Sequence, residues 1–188
     1  MRYFFDTEFV PGPGMPTPIS LGIVNEVGAE LYLEFRFRLD PALQHDFVRT
    51  HVLPHLEHDV AEVAARQPLS WRRWYPGLER HEAAAKLREF VGDDPNPEFW
   101  AYFADYDWVI FTSLFGGMLE MPEGWPYLCL DLRQWYQRLR CDESLKPPKP
   151  VTAHHALADA HWNLLFHANL AAADPTADYT RPPKKESS

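Results

Sequence analysis

Asp6 and Glu8 stand two residues apart at the end of an aromatic run, Arg2-Tyr3-Phe4-Phe5-Asp6-Thr7-Glu8-Phe9. Tyr and Phe favour strands, and in a strand residues i and i+2 project from one face. The two carboxylates therefore point the same way, and Thr7 points to the other side. Carboxylates held that close raise each other's proton affinity unless a proton or a cation lies between them. A hard divalent cation such as Mg²⁺, which takes oxygen ligands, satisfies both. Taken alone, the pair also fits two solvated acids at a sheet edge, since Asp and Glu are mostly exposed.

Two stretches downstream bring further groups of the same kind. Glu98-Phe99-Trp100-Ala101-Tyr102-Phe103 reads as a buried strand running into Ala104-Asp105-Tyr106-Asp107-Trp108-Val109-Ile110-Phe111, a helix start with acids in its first turn. Near the C-terminus, His154-His155-Ala156-Leu157-Ala158-Asp159 opens an amphipathic segment. Two positions stay open on this reading. Asp105 competes with Asp107, whose following residues form the better apolar face. His155, one turn before Asp159, faces that acid on a regular helix, while His154 sits just ahead of it.

The remaining pattern supplies elements to position these groups. Val10 to Pro18 is dense in Pro and Gly and is a loop bordering the carboxylate pair. Residues 19–24 and 31–37 read as strands joined by a turn at 25–29, which makes an antiparallel meander with the first strand. A helical pattern over 42–66 is broken by Pro54, and a helix is expected over 78–91. Further helices are expected from Ala104 to about Gly116, over 128–139, and over 151–172 with a cap near Thr152. Lys146-Pro147-Pro148-Lys149-Pro150 is a stiff connector. The order implies one α/β domain over 1–172, followed by a polar, flexible tail over 173–188.

Composition narrows the function. The 188 residues are 46% hydrophobic, enough for one domain with a sizeable core. A formal charge of −9 argues against broad gripping of a nucleic-acid duplex. It does not argue against a nucleic-acid enzyme, because bound cations reverse the field at a carboxylate cluster. Cys129 and Cys141 belong to no CxxC pair and read as reduced thiols. No apolar stretch approaches the ~18 residues of a membrane span, so a cytoplasmic protein with no membrane partner is expected. His51, His55 and His58 have helical spacing, but Pro54 interrupts it and no partner acid is evident, which weakens a zinc site there. Trp71, Arg72, Arg73, Trp74 and Tyr75 mix aromatic and cationic groups suited to stacking bases and touching phosphates, or to pinning a surface loop.

Taken in order, Asp6/Glu8, Asp107 and His154/Asp159 resemble the signature of the DEDDh-type 3′→5′ exonucleases: an Asp-x-Glu in the first strand, an Asp opening a later helix, and a final His-x-x-x-x-Asp. The resemblance spans the chain except its tail; the apolar helix face that follows the family's middle Asp selects Asp107, and its spacing of four intervening residues selects His154, with Asp105 and His155 as reserves. It implies a ribonuclease H-like fold, a central mixed sheet flanked by helices. Arg2–Phe9, Arg49-Thr50-His51-Val52-Leu53-Pro54 and Trp100–Asp107 look closest to small actinobacterial- and phage-type exoribonucleases, the polyadenylate-specific group among them. The resemblance implies two Mg²⁺ ions (Mn²⁺ substituting) held by Asp6, Glu8, Asp107 and Asp159, with His154 as the base. Two ions about 3.5–4 Å apart stabilise both the attacking and the leaving oxygen of a phosphodiester. Single-stranded RNA 3′ ends are the expected substrate, DNA the alternative, nucleoside 5′-monophosphates the product, and a homodimer the assembly. Thr7, Phe9, Trp108 and the loop around Met15 are candidate substrate contacts by nearness in sequence, with plain core packing the favoured alternative for Trp108. A catalytically silent nucleic-acid-binding module and a zinc hydrolase built on the three histidines are the competing classes.

Overall fold

The structure is a computed structural model and describes residues 1–59, 76–175 and 177. Trp71–Tyr75 and most of the tail lie outside the described residues. The first strand, β1 (Arg2–Val10), is the middle of a five-stranded sheet ordered β3-β2-β1-β4-β5. It pairs antiparallel with β2 (Thr17–Asn25), which pairs antiparallel with β3 (Glu30–Glu34). On its other edge it pairs parallel with β4 (Glu98–Ala101), and β4 with the short β5 (Leu130–Asp131). The expected meander is present, and the sheet is mixed.

Alternation along β1 divides the core. Tyr3 and Phe5 pack with Leu87, Phe99 and Phe111 beneath α2 (Arg80–Val91) and α3 (Ala104–Ser113). Phe4 faces the other way, packing with Trp100, Trp135, Tyr136 and Phe166 beneath α4 (Leu132–Arg138) and α5 (Ala156–Ala173). A short α1 (Leu39–Gln44) and two tight helical turns, Val48–Val52 and Leu53–His55, close a third cluster around Val10, Ile19 and Phe37. Pro54 sits inside the second of these turns, so the pattern read as a long broken helix from residue 42 is, in its described part, a series of single turns.

Three boundaries differ from the sequence reading. The third strand stops at Glu34, and beyond it Phe35 makes an isolated parallel bridge to Leu78. The expected helix over 128–139 begins as β5, because Asp131 turns the chain: its carboxylate accepts from Arg133 N at 2.6 Å and Gln134 N at 3.4 Å, capping α4. The last helix starts at Ala156 rather than near Val151. His155 is its cap, with Nδ1 accepting from Ala158 N at 3.4 Å.

Candidate active site

The sequence-predicted acids converge where β1 ends. Asp6, Glu8, Asp107, Asp159 and His154 all line one cavity of about 390 Å³. Ligand atoms of Glu8, His154 and Asp159 lie within 4.8 Å of one another. Asp107 and Asp159 are each held there by a separate local device.

Thr7, whose side faces α3, fixes Asp107. Asp107 Oδ1 accepts from Thr7 N at 2.9 Å and also from Thr7 Oγ1. The helix that carries Asp107 is itself anchored, since Ala104 N at its start donates to Asp131 Oδ2 at 3.3 Å. Thr7 thus works as a tether, and the acids reach the cavity from both sides of the strand.

Asp159 is fixed by the turn before its helix. His154 adopts a left-handed conformation with φ 71°, and its backbone N donates to Asp159 Oδ2 at 2.8 Å. This reach back from Asp159 requires the chain to double over just ahead of α5, which is what four intervening residues allow. His155 is instead occupied as the cap and stacks on Tyr32, ring centroids 4.5 Å apart. The reserve positions do not enter the cavity: Asp105 is exposed and His155 is turned to Tyr32.

The approach of α5 to the sheet depends on Gly22. Asp6 and Gly22 are cross-strand partners, so both face α5. A Cβ on Gly22 would stand 2.3 Å from the backbone N and Cα of Leu157, inside any possible contact. The missing side chain lets the first turn of α5 lie directly on β2. One turn beyond Asp159, buried Asn163 donates from Nδ2 to Phe5 O at 2.9 Å and ties the same helix to β1.

Electrostatics follow from this crowding. Burial, then the charges of Asp107, Glu8 and Asp159, hold the Asp6 carboxyl well above the usual range. Burial, then Asp159 and Asp107, push Glu8 up to about 8. Asp107 is raised by burial to about 7 against the opposing pull of the Thr7 hydrogen bonds. Asp159 is raised by burial and eased by the His154 N–H and by nearby histidine charge. A group of acids that retains protons near neutrality without counterions, on oxygen donors fixed by backbone contacts, is a fitting host for hard divalent cations.

The remaining candidates separate. Phe9 lines the cavity and lies 5.7 Å, ring to ring, from Tyr106. Trp108 does not reach it. Its ring is stacked on Phe111 at 5.3 Å and packs on Phe5 and Phe99, while its Nε1 donates to Tyr127 O at 3.0 Å, so Trp108 is a core residue. Met15 is exposed and outside the cavity. Among the described residues the three histidines form no metal group: His58 pairs with Glu34, and His51 lies beside His154 with rings 5.8 Å apart. Tyr102, Phe103, Tyr106, Lys149, Trp162 and Asn163 line the cavity without having been singled out by sequence. Asn163, four residues after Asp159 on one helix face, had a findable signal.

Among the described residues, no helix is long and apolar enough to cross a membrane. Residues 1–170 match the family model of the 3′-5′ exoribonuclease Rv2179c-like domain. Two curated relatives from Mycobacterium tuberculosis, the 3′-5′ exoribonuclease Rv2179c of strain H37Rv and the 3′-5′ exoribonuclease MT2234.1 of strain CDC 1551 / Oshkosh, are each 35% identical over 176 residues. The match covers 93% of this chain and 95% of theirs. Among solved structures, the RNase domain of the yeast Pop2 protein superposes with a TM-score of 0.61 at 14% identity, covering 93% of this chain and 77% of that one. The Mg²⁺- and Mn²⁺-bound form of S. pombe Pop2p gives 0.55 at 12% identity, covering 91% and 82%. The zinc-bound E. coli ExoI–ssDNA complex gives 0.53 at 14%, covering 93% and 41%. The fold is ribonuclease H-like.

Proposed function

The chain belongs to the family of Rv2179c-like 3′-5′ exoribonuclease domains, and from that membership we propose that it is a metal-dependent 3′-5′ exoribonuclease of DEDDh type acting on single-stranded RNA ends. The observation that carries this reading is the convergence of Asp6, Glu8, Asp107, Asp159 and His154 on one cavity at the end of β1. Asp6, Glu8, Asp107 and Asp159 are the residues to hold two divalent cations, Mg²⁺ by preference with Mn²⁺ substituting. Bound there, the cations neutralise the anionic phosphodiester and favour deprotonation of the attacking water.

The chain's own residues do the rest. His154 stands beside Glu8 and Asp159, where a ring nitrogen accepts the water proton; imidazole is suited to this near neutral pH. The Asp159 hydrogen bond to the His154 backbone fixes that position. Water's oxygen bonds to phosphorus, the bond from phosphorus to the 3′ oxygen of the preceding nucleotide breaks, that oxygen takes up a proton to become a 3′ hydroxyl, and a nucleoside 5′-monophosphate leaves. Phe9 and Tyr106 offer rings on which the terminal base stacks.

The test is a set of matched 5′-labelled single-stranded RNA and DNA oligonucleotides incubated with Mg²⁺ or Mn²⁺. The reading predicts a shortening RNA ladder, weaker or absent on DNA, lost in EDTA and in Asp6→Asn. No shortening of either strand would overturn it. A ladder stronger on DNA would move the assignment to the deoxyribonuclease alternative. Light scattering on the same preparation tests the homodimer that the family resemblance implies; a monomer mass at assay concentration removes it.

A further inference from the structure

The cavity is not acidic all round. Lys149 and Pro150 line it, from the connector between α4 and α5. Proline fixes its own φ and restricts the residue before it, so Lys149, between Pro148 and Pro150, has little backbone freedom. The connector is also fastened to α5: Trp162 Nε1 donates to Pro147 O at 3.1 Å and Asn169 Nδ2 to Leu145 O at 2.9 Å. Neighbouring Lys146 is committed, with Nζ 2.9 Å from Glu143 Oε1 and 4.9 Å from the centre of the Tyr136 ring.

Lys149 is different. It is exposed and, among the described residues, makes no hydrogen bond and no ion pair. In a chain with 27 acidic and 18 basic residues, an ammonium held at an acidic cavity without an acidic partner is available for an anion from outside.

Phe103 lines the same cavity. It caps α3 in a left-handed conformation, φ 58°, a costly one for a bulky residue, and its side chain remains 58% exposed. The Arg133 guanidinium lies over its ring, 5.6 Å from the centroid. An exposed ring backed by a cation and lining the cavity is a stacking platform. With the terminal base assigned above to Phe9 and Tyr106, Phe103 and Lys149, which line the same cavity, are left for the next nucleotide.

We infer that Phe103 and Lys149 form a subsite for the nucleotide on the 5′ side of the scissile bond: its base stacks on Phe103, and Lys149 binds the phosphate on its 5′ side. This rests on the exoribonuclease reading. The subsite makes the enzyme discriminate between short ends that carry that phosphate and those that lack it, the chemical difference between the ribodinucleotides pNpN and NpN. Residual dinucleotides from other nucleases, which keep a 5′-phosphate, then remain good substrates.

The experiment compares pApA with ApA, and pUpU with UpU, in hydrolysis with Mn²⁺ and in binding with Ca²⁺ as a substitute oxygen-seeking ion. A charge-assisted contact of ordinary strength predicts that the wild type prefers the phosphorylated dinucleotide by about tenfold or more, in KM and not in kcat. Lys149→Met brings the ratio close to one, Lys149→Arg keeps most of it, and Phe103→Ala weakens both dinucleotides alike. Equal use of the two by the wild type, or an unchanged ratio in Lys149→Met, overturns the subsite. If neither the dinucleotides nor the 5′-labelled oligonucleotides are cleaved but binding still distinguishes pNpN from NpN through Lys149, the exoribonuclease reading fails and the subsite stands.

Discussion

At the floor of the cavity, Glu8 and Asp107 are buried, and the devices holding the acids are backbone contacts: Thr7 N to Asp107, His154 N to Asp159, and the helix lying on Gly22. At its rim, Phe103, Tyr106 and Lys149 are exposed. Tyr106 and Phe9 contact one another, and Lys149 has no partner among the described residues. The floor concentrates charges that destabilise each other and therefore needs rigid support. The rim offers flat rings and one cation to a flexible strand, and it needs only to be accessible. The chemistry and the grip of the substrate are thus built on separable parts, and substitutions at the two should read out in different constants.

The largest separation is expected at Glu8. Glu8→Gln keeps the shape of the side chain and removes a charge from the floor, so kcat falls by at least about 10²–10³-fold, the scale of losing one fixed electrostatic group in an active site. Without divalent cations the same change is expected to raise stability at neutral pH. The Glu8 carboxyl sits near 8 in the folded protein against an ordinary value of 4.5, so between these limits the folded chain binds a proton that the unfolded chain releases. Stability from this source is complete below pH 4.5 and is lost as pH rises through 8. The cation-free melting temperature should therefore fall from pH 5 to pH 8, less steeply in Glu8→Gln, and Mn²⁺ should raise it most at pH 8. A flat cation-free profile in the wild type would show that the floor carries no such repulsion.

Gly22→Ala tests the support without touching an acid. The added Cβ meets Leu157 backbone, which cannot rotate away, so α5 must lift from β2 and carry Asp159 and His154 with it. Overpacking of this kind costs about 1–3 kcal/mol, and a displacement near 1 Å at a reacting centre costs about 10²-fold in rate. A lowered melting temperature together with a lost kcat and an unchanged KM is the expected pattern. If activity survives while stability falls, the rigidity of the floor is not what catalysis depends on.

How far the sequence shows this division depends on which physical rule each residue obeys. Asp6 and Glu8 follow strand alternation, and Asp107 follows the apolar face after it, so the floor was legible in the order and spacing of its acids. The choice between His154 and His155 came from the family spacing. Helix periodicity alone favoured His155, because it cannot foresee that His155 stops being helical to become the cap. Trp108 was placed by nearness to Asp107, yet successive helix residues point about a quarter-turn apart or more, and its ring turned into the core. Gly22 did carry a signal, since a lone glycine inside a strand marks a close backbone approach. The rim was least legible: Phe103 and Lys149 meet the acids only through tertiary folding, one at a strand-to-helix corner and one on a proline-stiffened connector.

The smallest expected effect belongs to the rim and tests whether it is really separate. Tyr106 precedes Asp107 directly, so its ring is the sharpest test of whether a rim residue disturbs an acid. Its side chain is 60% exposed and touches Phe9 rather than the Thr7–Asp107 bonds, and exposed positions free of special contacts change stability by roughly 0.5 kcal/mol or less. Stacking of one base is worth about 1–3 kcal/mol, so Tyr106→Ala should raise KM for oligoribonucleotides by about tenfold and leave kcat and the melting temperature nearly unchanged, with Tyr106→Phe close to wild type. A fall in kcat larger than the rise in KM would place Tyr106 with the floor, and the boundary between positioning the chemistry and holding the strand would then run through α3 rather than between α3 and the solvent.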